Sequence, residues 1–441
     1  MDKLLNRTQK LLPRILAISF GYPPTATPRA VQVARLLTRI DCAVVLACSD
    51  FASPIDGKDE LLAATTRDSS LTKVTVPFSR SSWDGFVFRA ARRLKLPIVN
   101  RTPDAFKKWN RSVCRTLEPI CREKSFDALI TFGAPMSDHL IGLTLKRQFG
   151  LPWIAHFSDP WTDNPFTTAD PVTNSFNRRL ERAVIAASDI SVFVSAETVD
   201  LVFKKYPSGW KQRARVLPHA FDPALFANGS GNRDNVIRIR FLGEFYGPRT
   251  PEPLVRALVE LHRSEPGILN GVTFELVNKL PDSRLISAEL QSLPRHLVEF
   301  RKPVSYLESL KLMEEADALL VIDAPSDFSV FLPSKLIDYL GARRPIFGIT
   351  PAGTAASLIR ELNGWVADPS DSAGIRSQLK SLLSFLREAR KKPLQPWGKE
   401  EVIARFEISR ISQQFTELIR EALSAPAGGG VDRESRAAYE E

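Results

Sequence analysis

Leu332-Pro333-Ser334-Lys335-Leu336-Ile337-Asp338-Tyr339-Leu340-Gly341-Ala342-Arg343-Arg344-Pro345-Ile346-Phe347-Gly348-Ile349 reads as a loop, a short helix and a buried strand in immediate succession. Pro333 and Ser334 suit the opening of a helix, and Lys335 and Asp338, three apart, project from one face of its first turns. A helix N-terminus with a lysine beside it attracts anions, and an acid one turn further in can accept hydrogen bonds from sugar hydroxyls. Ser334, Lys335 and Asp338 together suit a sugar joined to a nucleoside diphosphate. Leu336, Ile337 and Leu340 would equally serve an ordinary amphipathic helix with solvated charges, so the rest of the chain has to decide.

The same order of elements runs through both halves. Residues 14–20 are an apolar strand, the Gly21-Tyr22-Pro23-Pro24 stretch a loop, residues 27–37 a helix and residues 43–48 a strand again. Alternation continues through strands at 73–76, 128–132, 153–156 and 191–194, with helices at 138–149 and 176–187. A Gly-, Asn- and Asp-rich break at 227–235 follows, and the pattern restarts: strands at 237–243, 272–277, 318–322 and 345–349, helices at 251–262 and 307–314. Strands with no polar face, alternating with helices, predict an α/β protein of two tandem doubly wound parallel sheets, each Rossmann-like. Open sheets of this kind bind ligands at the C-terminal ends of their strands, so the chemistry is expected in an inter-domain cleft. Residues 402–423 carry apolar positions at helical spacing and predict one closing helix. The expected division is an N-terminal extension (1–13), a first domain (14–218), a second (219–395), a helix packing across both (396–424) and a disordered tail (425–441).

Composition narrows the classes. The chain has 441 residues, 44% hydrophobic and 25% charged, in the range of soluble globular proteins. Its longest apolar stretches, such as residues 316–322, fall far short of the ~20 residues of a membrane-spanning helix. Pro13 and Arg14 interrupt the basic N-terminus before any signal-peptide core. Cys42, Cys48, Cys114 and Cys121 have neither the number nor the spacing of a disulfide framework or zinc site, so a reduced, cytoplasmic protein is expected. No G-x-G-x-x-G follows a strand and no G-x-x-x-x-G-K-[ST] occurs, which disfavours nicotinamide cofactors and P-loop hydrolysis. Residues 79–115 hold ten Lys or Arg against Asp84 and Asp104, a net +8 of the chain's +10. Trp83, Phe86, Phe88, Phe106 and Trp109 interleave them, which suits either an anionic membrane surface with peripheral association or solvated helices with aromatic cores. No nucleic-acid-binding signature accompanies the charge.

Two further clusters sit at strand ends. Residues 153–161 run Trp153-Ile154-Ala155-His156-Phe157-Ser158-Asp159-Pro160-Trp161, with His156, Ser158 and Asp159 crowded where a strand stops. In Phe241-Leu242-Gly243-Glu244-Phe245-Tyr246-Gly247-Pro248-Arg249, a loop leads from a strand to a helix, and its amides with Arg249 offer positive charge to a diphosphate.

On these residues the chain resembles the GT4-type glycosyltransferases of the bacterial surface-polysaccharide kind, two-domain GT-B enzymes that use nucleotide sugars. The segment from Pro333 to Ile346 is similar to their P-x-K-x-x-E-Y-L-A-x-G-x-P-I; the segment from Pro152 to Trp161 to P-W-[IV]-x-D-[FL]-R-D-P-W; the loop from Gly243 to their basic donor-pyrophosphate loop. The resemblance implies a catalytic pair in His156 and Asp159, diphosphate contacts from Arg249, Lys335 and Ser334, and donor nucleoside or sugar contacts from Asp338 and Gly243. Gly21 to Arg29 is similar to the family's first loop, and Tyr22, Thr27 and Arg29 are its candidates for an acceptor or phosphate. Glu244 stands where arginine is usual. Val330 stands where many relatives carry a glutamate, with Asp327 or Asp323 to substitute.

The activity implied is transfer of a sugar from a nucleotide-diphosphate sugar to a glycan or lipid-linked acceptor, with retention. No D-x-D triplet occurs, so no metal or cofactor is expected and fixed cations must hold the diphosphate. A nucleotide-sugar epimerase of the same fold, or a catalytically inactive binding relative, remain the alternatives.

Overall fold

The computed structural model describes residues 12–50, 59, 62, 71–78, 103–164, 170–226, 234–278 and 288–424. They form two compact units, Met1–Leu217 with Ser412–Glu441, and Pro218–Ile411.

In the first unit β1 (Arg14–Ile18), β2 (Ala43–Ser49), β3 (Leu71–Val76), β4 (Ala128–Phe132), β5 (Trp153–His156), β6 (Ile190–Phe193) and β7 (Ala214–Val216) make one parallel sheet in the order β3-β2-β1-β4-β5-β6-β7. Among the described residues its helices include α1 (Pro28–Leu37), α2 (Lys107–Glu123), α3 (Ser137–Phe149), α4 (Pro171–Ala187) and α5 (Ala196–Phe203). β4, β5 and β6 are buried along their whole length because helices cover both faces, and this is why their sequences show no polar alternation. Local chemistry sets the helix ends. Thr27 caps α1 by accepting from the Ala30 N–H at 3.3 Å, ahead of Pro28. Gly150, at φ +70°, ends α3 in the left-handed conformation that glycine adopts without strain.

The second unit holds β8 (Ile237–Leu242), β9 (Val272–Val277), β10 (Val298–Arg301), β11 (Ala318–Ile322), β12 (Ile346–Ile349) and β13 (Trp365–Ala367), all parallel, in the order β10-β9-β8-β11-β12-β13. Helices α6 (Glu252–Ser264), α7 (Ala288–Gln291), α8 (Tyr306–Glu314), α9 (Ser334–Ala342), α10 (Thr354–Glu361) and α11 (Ser372–Arg390) surround it, and α12 (Glu400–Ile403) and α13 (Ile408–Ser424) follow. Both sheets wind outward from their first strand, then reverse. The reversal falls between β1 and β4 in one unit and between β8 and β11 in the other, the place where open α/β sheets bind ligands.

One expectation needs correction. The single helix over 402–423 is broken: after a 3₁₀ turn at Ala404–Phe406, Glu407 is extended. Phe221 takes the helical hydrogen bonds there, its N–H donating to Phe406 O at 3.0 Å and its carbonyl accepting from Ile408 N at 2.9 Å. In the basic stretch 79–115, residues 79–102 lie outside the described residues, while Trp109 is core. Its indole N–H donates to Val76 O at 3.1 Å, and Phe106 packs on Phe20 with ring centroids 4.3 Å apart. Trp109 therefore belongs to the core and the partly buried Phe106 packs against it, which fits the aromatic-core alternative for these two residues.

Candidate functional site

In the first unit the reversal point is bridged by Arg29, the second residue of α1, which is only 8% exposed. Its Nε donates to the Gly133 carbonyl just beyond β4 at 2.7 Å, and its Nη2 to the His156 carbonyl at the end of β5 at 2.9 Å. The same Nη2 lies 3.2 Å from His156 Nδ1. Burial pushes the guanidinium pKa down to about 10, opposed by the charges of Asp159 and Asp138. Arg29, a candidate contact for an acceptor or phosphate, has these three contacts with the ends of β4 and β5. Its Nη1 has no hydrogen-bond partner among the described residues.

Around this bridge the acids and the other histidine are enclosed. Asp138, fully buried, accepts from the Phe20 N–H at 2.7 Å, yet desolvation raises its pKa well above the usual carboxylate range. His139 is held neutral, its pKa lowered to about 3 by burial and by the Arg29 charge. Its Nδ1 meets Thr131 Oγ1 at 2.7 Å, and that hydroxyl oxygen also accepts from Trp153 Nε1 at 2.9 Å. Neither Asp138 nor His139 was singled out from the sequence, which gives only a helix over 138–149.

Asp159, partly buried in the loop after β5, accepts from Ser158 Oγ at 3.0 Å. That loop is tied down on its far side. Trp161 Nε1 donates to Asn177 Oδ1 at 3.1 Å, and Lys205 bonds to Glu181 at 2.8 Å and to Asp163. Of the first-loop candidates, Thr27 spends its hydroxyl on the α1 cap, and Tyr22 is buried under the Lys73 ammonium, 4.7 Å from its ring centroid.

The second unit gathers its candidates around the β8–β11 reversal. The loop after β8 turns at Gly247 (φ +55°) and is closed by Arg249 N donating to Tyr246 O at 3.0 Å. Arg249 Nη2 then donates to Asp323 Oδ1 at 2.7 Å, at the C-terminal end of β11, while Thr350 Oγ1, just past β12, donates to Asp323 Oδ2 at 2.8 Å. The carboxylate considered as a replacement for the missing glutamate is therefore committed to the arginine. Asp327 is exposed in the loop before α9, and Val330 is buried there, its carbonyl accepting from Thr354 Oγ1 at 3.2 Å. That loop is fixed where Gly353 (φ +139°) runs against Ser329: a Cβ on Gly353 would stand 1.9 Å from the Ser329 carbonyl oxygen.

Helix α9 opens at Pro333 with no side-chain cap, leaving first-turn amides to the loop side. Ser334 is its first residue and Lys335 its second. Lys335 is partly buried, makes no hydrogen bond or ion pair among the described residues, and has its pKa lowered by desolvation, with Asp338 and Glu244 acting against that shift. Asp338, 6% exposed, accepts from the Tyr306 hydroxyl at 3.2 Å. Gly243 follows directly on β8, its N–H donating to Val277 O at 3.2 Å, and a Cβ there would strike the Phe241 ring at 2.6 Å. Among the described residues no group of three or more His, Cys, Asp or Glu is arranged to hold a metal ion, and no helix is long and apolar enough to cross a membrane.

Neither a protein-family model nor a curated protein sequence matches the chain. Solved structures do. HepE of Anabaena in complex with UDP and glucose is 13% identical, with 93% of this chain and 100% of that one covered and a TM-score of 0.60. Sucrose-phosphate synthase of Thermosynechococcus elongatus is 15% identical, with 94% and 100% covered and a TM-score of 0.66. The lipopolysaccharide outer core galactosyltransferase WaaB in its apo form is 13% identical, with 92% and 99% covered and a TM-score of 0.57. At such identities the likeness speaks to fold. The chain has the GT-B type of α/β architecture, two Rossmann-like parallel-sheet units, as the alternation of its strands and helices predicts.

Proposed function

We propose that the chain is a glycosyltransferase that moves a sugar from a nucleotide-diphosphate donor to a glycan acceptor, lipid-linked and destined for a surface polysaccharide, without a metal and with retention of configuration. Lys335 carries this reading: a partly buried ammonium with no direct partner among the described residues, at the uncapped N-terminus of a helix beside the sheet's reversal point. Fixed positive charge in a poorly solvated position suits a dianionic leaving group. In the transfer the bond between the anomeric carbon and the diphosphate oxygen breaks, a bond to an acceptor hydroxyl forms, and that hydroxyl's proton leaves with the nucleotide. Lys335 and the α9 amides would hold the departing diphosphate, Arg249 would flank it, and Asp338 would accept from donor hydroxyls. Support also comes from neighbours of the same fold, one holding UDP and glucose and another described as a galactosyltransferase.

The test is incubation with a panel of nucleotide sugars and glycan acceptors, following release of the nucleoside diphosphate. Transfer that falls about 100-fold or more in Lys335→Ala agrees with the loss of one charge-stabilising group. Absence of transfer and hydrolysis across the panel, with no thermal shift from any nucleoside diphosphate, refutes it. Release of a free, inverted sugar without acceptor would favour an epimerase.

A further inference from the structure

We propose that Arg29 is a positioning residue that holds the His156 imidazole neutral with its proton on Nε2, so that Nδ1 cannot serve as a general base. The catalytic consequence rests on the function proposed above; the state of the ring does not.

A guanidinium carries five N–H donors and no acceptor. The nitrogen of His156 that stands 3.2 Å from Arg29 Nη2 must therefore be the accepting, unprotonated one, and it is Nδ1. The ring's single proton then sits on Nε2. Protonating Nδ1 would set N–H against N–H inside a site where Arg29 and His156 are 8% and 2% exposed, with little water to relieve the clash. The one lone pair with which the neutral ring could take up a proton is occupied by Arg29.

The grip is geometrically determined. Nη2 uses its two hydrogens on the carbonyl and the ring of the same residue, and Nε uses its hydrogen on Gly133, so the guanidinium plane is set by three acceptors on two strand ends. Phe132 stands 5.4 Å from the imidazole centroid and Phe415 6.3 Å from it, edge-on, which limits ring rotation. Among the described residues, Asp159 in the loop after β5 and Asp138 on α3 are coupled to the Arg29 charge. A lysine could supply charge at this position but not three co-planar donors.

The experiment is nitrogen-15 NMR of the ring nitrogens in the full chain. Its five histidines keep the spectrum tractable, and the His156 signals are identified by their loss in His156→Gln. The expected result is an unprotonated Nδ1 and a protonated Nε2, unchanged between about pH 6 and 8. In Arg29→Met the two tautomers should mix and the ring should take up a proton within that range; Arg29→Lys should restore the charge but not the single tautomer. With transfer measured, Arg29→Met should lower kcat about tenfold or more, with donor KM changed less than about threefold. A proton on Nδ1, or a charged ring at pH 7 in the unsubstituted protein, overturns the proposal, and this readout needs no variant to fold. Failure of every transfer assay alongside the expected tautomer would refute the function and leave this inference standing.

Discussion

Asp323 answers the charge of Arg249: the carboxylate accepts from Nη2 at 2.7 Å and holds its place through Thr350. The two side chains are 4% and 15% exposed, so removing either one leaves the other poorly solvated. Arg249→Ala should cost about 3 kcal/mol, as expected when one partner of a largely buried pair is lost. The double variant Arg249→Ala/Asp323→Ala should recover part of that loss. Urea denaturation of the single and double variants measures the coupling. Additive losses would show that the pair contributes no interaction of its own.

Lys335 runs the other way. Burial lowers its pKa, so the folded protein binds this proton less well than the unfolded chain does. The charged lysine therefore lowers stability at neutral pH, and the cost fades as pH rises through the folded pKa toward the ordinary lysine value of about 10.4. Lys335→Met should be at least as stable as the parent at pH 7, with the difference shrinking in alkali; under the function proposed above, it should also lose stabilisation by a nucleoside diphosphate. A variant that unfolds earlier at pH 7 would contradict this.

Acid should act through His139. Its folded pKa of about 3 lies well below the ordinary histidine value, so the unfolded state takes up the proton first. The stability this neutral ring contributes is whole above about pH 6.5 and is lost as pH falls toward 3. Asp138, with its raised pKa, works in the opposite sense, because the folded state holds its proton more tightly. Comparing His139→Phe with the parent by chemical denaturation at pH 7 and pH 4.5 separates the two: the gap between the proteins should move in favour of His139→Phe at the lower pH. An unchanged gap would mean that His139 is not buried neutral.

Gly353→Ala should be among the most damaging single-atom additions in the second unit. The new Cβ would meet the Ser329 carbonyl at 1.9 Å, and φ +139° disfavours any side chain. A loss above about 3 kcal/mol is expected from the clash and the strained backbone together. Thermal denaturation measures it; a near-normal melting temperature would require the loop before α9 to have moved.

The alternation of elements was legible because doubly covered strands leave uninterrupted apolar runs, and Lys335 and Asp338 were legible because helical spacing alone puts them on one face. What escaped reading depends on groups distant in the chain or without a side-chain signature. Arg29 bonds to backbone carbonyls at Gly133 and His156, which any residues there would supply. Asp323 lies 74 positions from the arginine that it pairs with. The break at Glu407 is made by Phe221, whose backbone replaces bonds that helical periodicity takes for granted. Trp109 and Phe106 carry the same aromatic signal whether they face lipid or a core, and only packing tells them apart.

Phe415 is fully buried in the first unit, with its ring centroid 6.3 Å from those of both Phe132 and His156. During synthesis the strands of that unit leave the ribosome long before this ring does. The nascent first unit must therefore wait, with an apolar surface uncovered beside His156, until the second has been translated, which makes it a natural client for a chaperone. Chains stopped before Ser412 should accumulate in that unfinished form.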